Sequence, residues 1–401
     1  MARRHVAIAG AGIAGLTAAL SFAAKGFSVS IFERAEHLEE AGAGLQLSPN
    51  ATRILASLGV LERLRRNAIQ PEAIHLKDAA SLAPLARIPL GEAAEARWGA
   101  PYLVSHRADL QLALLQAVED CAAIALTTGA EIGKAEFGTA GVTALVQDRQ
   151  GERKLACEFL IAADGVWSGL RRLAGRGESR FTGYIAHRAI LRREGLEVDD
   201  ILPPDSVTAF LSPRFHLVAY PLRGGTEINL VAITKGAEVG RRWASSADID
   251  HMRAIARDAP ALSALAVQAG AWTAWPIHEV EVPGRWGDPG GLVLIGDAAH
   301  ALAPFAAQGA AMAIEDAAVL AELATRKANV PSMLAGFERL RRPRLARVAR
   351  RGNFNRLVWH AGGPIALVRN LALRFFRNEQ RLAADLDWLY GYDAAAEAGD
   401  A

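Results

Sequence analysis

Three short segments restrict this chain more than anything else in it: Gly10-Ala11-Gly12-Ile13-Ala14-Gly15, Ala163-Asp164-Gly165 and Gly296-Asp297-Ala298-Ala299-His300. Each stands at the end of a short apolar run, at 5–9, 158–163 and 291–295. Runs of that length and composition read as buried parallel strands. The first segment on its own says only that a dinucleotide binds. In this order and at these distances, the three together point to one fold wrapped around one cofactor.

The N-terminal segment has the local chemistry of a βαβ unit. After the strand-like run His5-Val6-Ala7-Ile8-Ala9 comes the glycine motif, then an Ala- and Leu-rich helical stretch over 16–25, closed by Gly26. A second strand, Ser28-Val29-Ser30-Ile31-Phe32, ends at Glu33. Gly10 permits the tight turn, Gly12 lets backbone N–H groups approach a pyrophosphate, and Gly15 allows close helix–strand packing. The following helix turns its partial positive charge toward the phosphates. Glu33, 18 residues past Gly15, stands where an acid accepts hydrogen bonds from ribose hydroxyls.

Composition enters as a set of exclusions. A formal net charge of +2 over 401 residues gives no reason to expect nucleic acid, although a pI of 8.6 suits anionic ligands. Cys121 and Cys157 fit no metal or redox spacing and read as buried free thiols of a cytoplasmic protein. The apolar stretch from 10 to 27 carries glycines and Lys25, so no membrane span or signal peptide is expected. A second glycine fingerprint after a strand is missing from the sequence, which argues against a built-in second nucleotide domain.

Other stretches add to the pattern. Glu33-Arg34 leads to the glycine-bearing loop 42–50, which contains Gln46, and then to a helix over 51–58 capped by Asn50. Ser105-His106-Arg107 opens a helix reaching about 120, and Pro304 and Gln308-Gly309-Ala310 lead into one over 310–325. On these motifs the chain resembles the single-component FAD-dependent aromatic hydroxylases of the para-hydroxybenzoate hydroxylase superfamily. The likeness is strongest to salicylate, 3-hydroxybenzoate and 6-hydroxynicotinate monooxygenases, and it covers residues 6 to about 392.

That resemblance implies an α/β fold in which a Rossmann-like FAD-binding domain (1–75, 106–178 and 281–330) carries an inserted antiparallel-sheet substrate domain (76–105 and 179–280). C-terminal helices follow over 331–401. It implies FAD as cofactor, NADH or NADPH as a transient co-substrate, and O₂ added at the flavin C4a position before transfer to an aromatic acid, with or without decarboxylation. The residues expected at the cofactor are Gly10, Gly12, Ala14, Gly15, Glu33, Arg34, Gln46, Arg107, Asp164, Asp297, Pro304, Gly309 and Ala310. The helix N-terminus at Gly309 would favour negative charge on the reduced ring. A flavoprotein reductase, dehydrogenase or epoxidase of the same fold, acting on a lipid, quinone precursor or natural product, is the alternative. A monomer or homodimer is expected.

The stretch 181–234 changes character. Strand-like runs at 184–190, 206–211, 216–220 and 228–233 alternate with turn residues, as in an antiparallel sheet roofing an aromatic ligand. A phenol is activated by removing its proton, for which histidine is best suited near neutral pH. His216 and Tyr220, i and i+4 on one strand face, resemble the His and Tyr of hydroxynicotinate and hydroxybenzoate enzymes. His216 is expected as base or substrate hydrogen-bond partner, the alternative being a sheet-edge histidine. Gln308 is expected to touch substrate or flavin, and His300 to be structural.

His187-Arg188 stands where many relatives carry Trp-Arg, which puts substrate identity in doubt. Arg188 is read as an exposed strand arginine, with carboxylate binding as the alternative. The small residues around Phe305 suggest a roomy pocket floor. Seven arginines between 339 and 351 read as a solvated helix face, and Pro343 as a kink or new helix start. Apolar patches at 371–376 and 388–392 are expected to dock a helix or a dimer partner, and 394–401 to be disordered.

Overall fold

A computed structural model describes residues 4–38, 43–138, 141–238, 245–281, 284–375 and 378–399. The apolar run His5–Ala9 is the centre of a six-stranded sheet, pairing in parallel with Ser28–Glu33 on one side and Phe159–Ala162 on the other. Phe159–Ala162 in turn pairs in parallel with Leu292–Leu294, and Ser28–Glu33 with Ile124–Thr128. Only the short edge strand Gly287–Asp288 runs antiparallel. All three glycine and aspartate motifs therefore emerge from carboxyl ends of neighbouring parallel strands, the place where open α/β sheets bind ligands.

The helix Ile13–Ala24 lies on this sheet and is covered by Arg107–Glu119 and Gly309–Arg326. Its Phe22 is fully buried and meets Phe27 and Phe159 edge-on, with ring centroids 5.2 and 5.5 Å away. Burying such a ring stabilises the layer by about 2–3 kcal/mol. The helix expected from 105 begins at Arg107, because 103–106 pairs as a strand with Gly44–Leu47 and His106 caps the helix through Nδ1. The helix expected after an Asn50 cap is Pro49–Ser57 with Ser48 at the cap position, which frees Asn50 for a buried network.

The second sheet has eight strands in the order 245–247, 272–279, 180–192, 227–235, 215–222, 206–211, 73–78 and 84–89. It is not wholly antiparallel as expected: Ser206–Leu211 and Ala73–Asp78 run parallel. The chain reaches this second partner only after a long excursion through the first layer, so the return direction is set by the fold and not by a hairpin. One face packs on the helices Ile249–Ile255 and Pro260–Gln268 through Leu217, Leu230, Met252 and Leu265. The other face looks toward the first layer and carries Tyr220, Val207 and Ile190 into its core.

The helix Val330–Trp359 runs unbroken through Pro343, so the proline neither ends it nor starts a new one. Buried Arg341, Arg344 and Leu345 hold that stretch on both sides of the missing N–H. The expected solvated basic face is corrected at these two arginines, which lie in the interior. Of the tail expected to be disordered, the described part forms the helix Ala394–Gly399, with Ala394 and Ala398 buried, and 400–401 lie outside the described residues. The 388–392 patch docks inward through Leu389 and Tyr390; of the 371–376 patch Leu371 is exposed and 376 lies outside the described residues, and Ile365 and Val368 on the same helix Gly363–Phe375 are exposed too. Cys157 is buried but Cys121 only half-buried. Among the described residues, no helix is long and apolar enough to cross a membrane.

Candidate active site

The glycine loop is a steric device. Gly10 has φ +101°, and a Cβ there would stand 2.5 Å from the Ala163 carbonyl oxygen; one at Gly15 would stand 1.9 Å from the Gly10 carbonyl oxygen. A Cβ at Gly12 would meet nothing within 4 Å. The open space thus lies over Gly12, at the N-terminus of a helix that no side chain caps. Glu33 braces this loop: its Oε2 accepts the Ala11 N–H at 2.8 Å and its Oε1 the Ala35 N–H at 2.9 Å. Ala14 lies beneath Gly296, where a Cβ would come within 3.1 Å of the alanine methyl.

Arg171, which sequence reasoning passed over, staples the second motif to the third. Its Nε donates to the Ala298 carbonyl at 2.8 Å and its Nη2 to Val166 and Asp297 carbonyls at 2.8 and 3.2 Å. Burial lowers its pKa to about 10, opposed by Asp164 and Asp297, so it stays charged at neutral pH. Asp164 Oδ2 accepts the Leu170 N–H at 3.2 Å, while Oδ1 is buried without a partner and available to a ligand. A buried acceptor left unpaired costs about 1–3 kcal/mol. The only sequence signal for Arg171 was its position seven residues past Asp164.

The helix Gly309–Arg326 also begins without a side-chain cap, and a Cβ at Gly309 would meet nothing within 4 Å. Its free N–H groups, with those of Ala310, face open space next to the turn Pro304–Ala306. Ala307 bridges turn and helix at φ +50°, a left-handed conformation costly for alanine. Gln308, expected at substrate or flavin, donates from Nε2 to Ser48 Oγ at 2.9 Å and accepts at Oε1 from Asn50 at 3.3 Å. Asn50 continues to Glu315 at 2.6 Å.

Beneath this helix lies a buried ionic cluster. Arg341 donates to Glu315 at 2.6 Å and Asp316 at 2.8 Å, and Arg344 to Glu315 at 2.8 Å. Asp316 also meets His300 Nε2 at 2.5 Å and accepts the Gly296 N–H at 2.9 Å. His300, expected to be structural, pairs its side chain with a buried carboxylate. Burial opposes ionisation of Asp316, yet His300 and Arg341 outweigh it and hold its pKa below the usual value.

The inner face of the large sheet supplies the polar groups opposite. In register across the strands, His216 aligns with Ile233, Ala186 and Trp275; Val218 with Val231 and Arg188; and Tyr220 with Asn229 and Ile190. His216, Arg188 and Tyr220 therefore share one face. His187 is on the reverse face, near His251 at 5.5 Å, so the departure from Trp-Arg does not touch the pocket. Arg188 is not the exposed residue expected: its Nε is buried without a partner, and the guanidinium lies 4.9 Å over the Trp275 ring. Burial lowers its pKa to about 10, against Tyr220, which favours its charge. Burial also pushes the Tyr220 phenol far up, so it remains protonated.

His216 is 1% exposed, and burial holds its imidazole well below the usual value. Around it stand Phe305, Trp359 and His360, with ring centroids at 5.5, 4.9 and 5.0 Å. Phe305 meets Tyr184 edge-on at 5.4 Å and lines a cavity with Ala303, Ala306 and Gln308. Gly44 is required here because a Cβ would stand 2.5 Å from the Tyr220 ring. Gln46 accepts from the Tyr102 hydroxyl at 2.6 Å, Arg107 is exposed at the next helix start, and Arg34 stands on the rim 3.8 Å from Glu131. The three motifs thus stand at the ends of neighbouring strands of one sheet, while His216, Tyr220 and Arg188 share one face of the other.

The residues fit an FAD: open space over Gly12, the unpartnered Asp164 oxygen and two uncapped helix N-termini suit a pyrophosphate and a ring bearing negative charge. A family profile described as FAD binding domain matches residues 3–352. The chain is 33% identical over 394 residues to 3-hydroxybenzoate 6-hydroxylase of Polaromonas naphthalenivorans, covering 97% of this chain and 96% of that one. To 6-hydroxynicotinate 3-monooxygenase of Bordetella bronchiseptica it is 32% identical over 401 residues, covering 98% and 96%. A solved salicylate hydroxylase substrate complex shares the fold, with a TM-score of 0.82 at 24% identity over 99% and 97% of the two chains.

Proposed function

The chain belongs to the FAD binding domain family, and from that membership we propose that it is an FAD-dependent monooxygenase, using NADH or NADPH and O₂ to hydroxylate a phenolic aromatic or heteroaromatic acid. The observation that carries the reading is the set on one sheet face: a buried neutral histidine, a protonated tyrosine and a charged arginine with an unpaired N–H. These are the groups a hydroxylated ring carboxylate needs.

Bound FAD, once reduced, supplies the activated oxygen. Gly10, Gly12, Ala14, Gly15, Glu33, Arg34, Gln46, Arg107, Asp164, Asp297, Pro304, Gly309 and Ala310 are proposed to hold it. The N–H groups of Gly309 and Ala310 favour negative charge developing next to them. His216 Nε2, which has no partner among the described residues, takes the phenol proton and makes the ring more nucleophilic. Arg188 grips the carboxylate, and Tyr220 donates a hydrogen bond that fixes ring orientation. Phe305 and Trp359 keep water away from the reacting ring.

The test is to purify the protein, verify flavin by absorbance, and offer hydroxybenzoates and hydroxynicotinates with NADH or NADPH. Stimulated O₂ consumption with a product heavier by one oxygen is expected; full-rate turnover without O₂ would overturn the reading. His216→Ala should retain FAD and oxidise NAD(P)H while losing about 10²-fold in product formation.

A further inference from the structure

His216 does not stand alone. Its Nδ1 lies 3.0 Å from Nε2 of His360, the residue that ends the helix Val330–Trp359. His360 is half-buried, stacked on Tyr184 with ring centroids 5.9 Å apart and planes 7° from parallel. One side of the pair is thus sealed in the pocket, while the other reaches toward solvent at the helix end. At 3.0 Å one proton sits between two imidazoles, so one ring donates and the other accepts.

We propose that His360 completes a two-imidazole relay with His216, carrying the proton taken from an aromatic hydroxyl in the pocket out to solvent. The inference rests on the hydroxylase reading. The phenol O–H breaks and its proton bonds to His216 Nε2; the Nδ1 proton of His216 passes to His360 Nε2; the Nδ1 proton of His360 passes to water. Both rings end neutral with tautomers exchanged, and the charge left in the site is the phenolate. Reprotonation of the product on release runs the same path backward and restores the first tautomers.

The environment explains why one histidine would not suffice. An imidazolium at His216 would sit against Phe305 and Trp359 in a fully buried position that penalises the charged form. Burial first, then Lys235 and Arg356, hold His360 down to about 4. These two cations, with the rings of Tyr184 and His216, are the polar groups facing it among the described residues. Neither ring therefore stores the proton, and both are suited to passing it on.

His360 is a positioning and relay residue, and its test must separate relay from packing. The probe is 4-nitrophenol mixed with the FAD-loaded protein in stopped flow, reading the phenolate band. Wild type should ionise the bound phenol rapidly. His360→Phe, which keeps the stack on Tyr184, should ionise it about 10²-fold more slowly at unchanged flavin content. His360→Gln, which still accepts from His216 but passes no proton, should be equally slow should phenylalanine disturb packing. Added imidazole should speed His360→Ala in proportion to its concentration. Wild-type rates in both nitrogen-altered variants would overturn the relay alone. A wild type that binds the phenol without ionising it would overturn the relay and the base role of His216 together.

Discussion

The Arg341 guanidinium and the Glu315 carboxylate face each other at 2.6 Å with neither side chain exposed. With Asp316 and Arg344 they form a charge-balanced junction between the helix that starts at Gly309 and the helix that ends at His360. Taking one partner away leaves buried charge uncompensated, which costs about 3–5 kcal/mol. Arg341→Met is therefore expected to lower unfolding free energy in urea by that amount; a loss below about 1 kcal/mol would show that the cluster relaxes freely.

Glycines of one loop should separate folding from cofactor binding. Gly10→Ala meets the Ala163 carbonyl at a left-handed φ and should destabilise the FAD-free protein. Gly12→Ala meets nothing until a pyrophosphate arrives. It should leave the melting temperature without FAD unchanged and weaken FAD binding by about tenfold or more, measured by flavin fluorescence titration.

Arg188 predicts substrate class. With a buried, unpaired Nε over Trp275, it is expected to contribute a charge-assisted hydrogen bond to a ring carboxylate, about 1.5–3 kcal/mol. Arg188→Leu should lower kcat/KM for hydroxybenzoates by roughly 10–10²-fold and leave phenols lacking a carboxylate little changed. Equal losses on both kinds of ring would remove it from carboxylate recognition.

His187 predicts an acid limb in stability. Burial first, then His251, lowers its pKa to about 4 from the usual 6.5. Between those values the unfolded chain binds a proton that the folded one does not, so stability falls as pH drops from 6.5 and levels off below about 4. The loss is on the order of 3 kcal/mol for this group. His187→Phe should flatten that part of a melting-temperature profile between pH 7 and 4, with no change in aromatic-acid binding because the ring is on the reverse face.

Much of the cofactor half was legible because its signals are local. Strand, glycine turn and helix fall within the first twenty-five residues, and each glycine answers a contact made by its near neighbours or by an adjacent strand. Arg171 was passed over and Arg188 misread as exposed for a common reason: an arginine in a sequence carries no mark of its burial. The same holds for Arg341 and Arg344, read as surface residues and found at the centre of the structure. Gln308 bonds to Ser48 and Asn50, 260 and 258 residues away, a pairing that its neighbours in sequence do not announce.

What the sequence by itself determined is the FAD-binding fold, since φ > 0 turns, strand runs and helix starts are set by residues a few positions apart. Which histidine matters beside His216 was decided only by tertiary structure. His216 and His360 are 144 residues apart in the chain and meet because the long helix, anchored by its buried arginines, ends against the sheet. Burial sets the protonation state of both rings, and burial is a property of the packed molecule that a residue's neighbours in sequence do not fix.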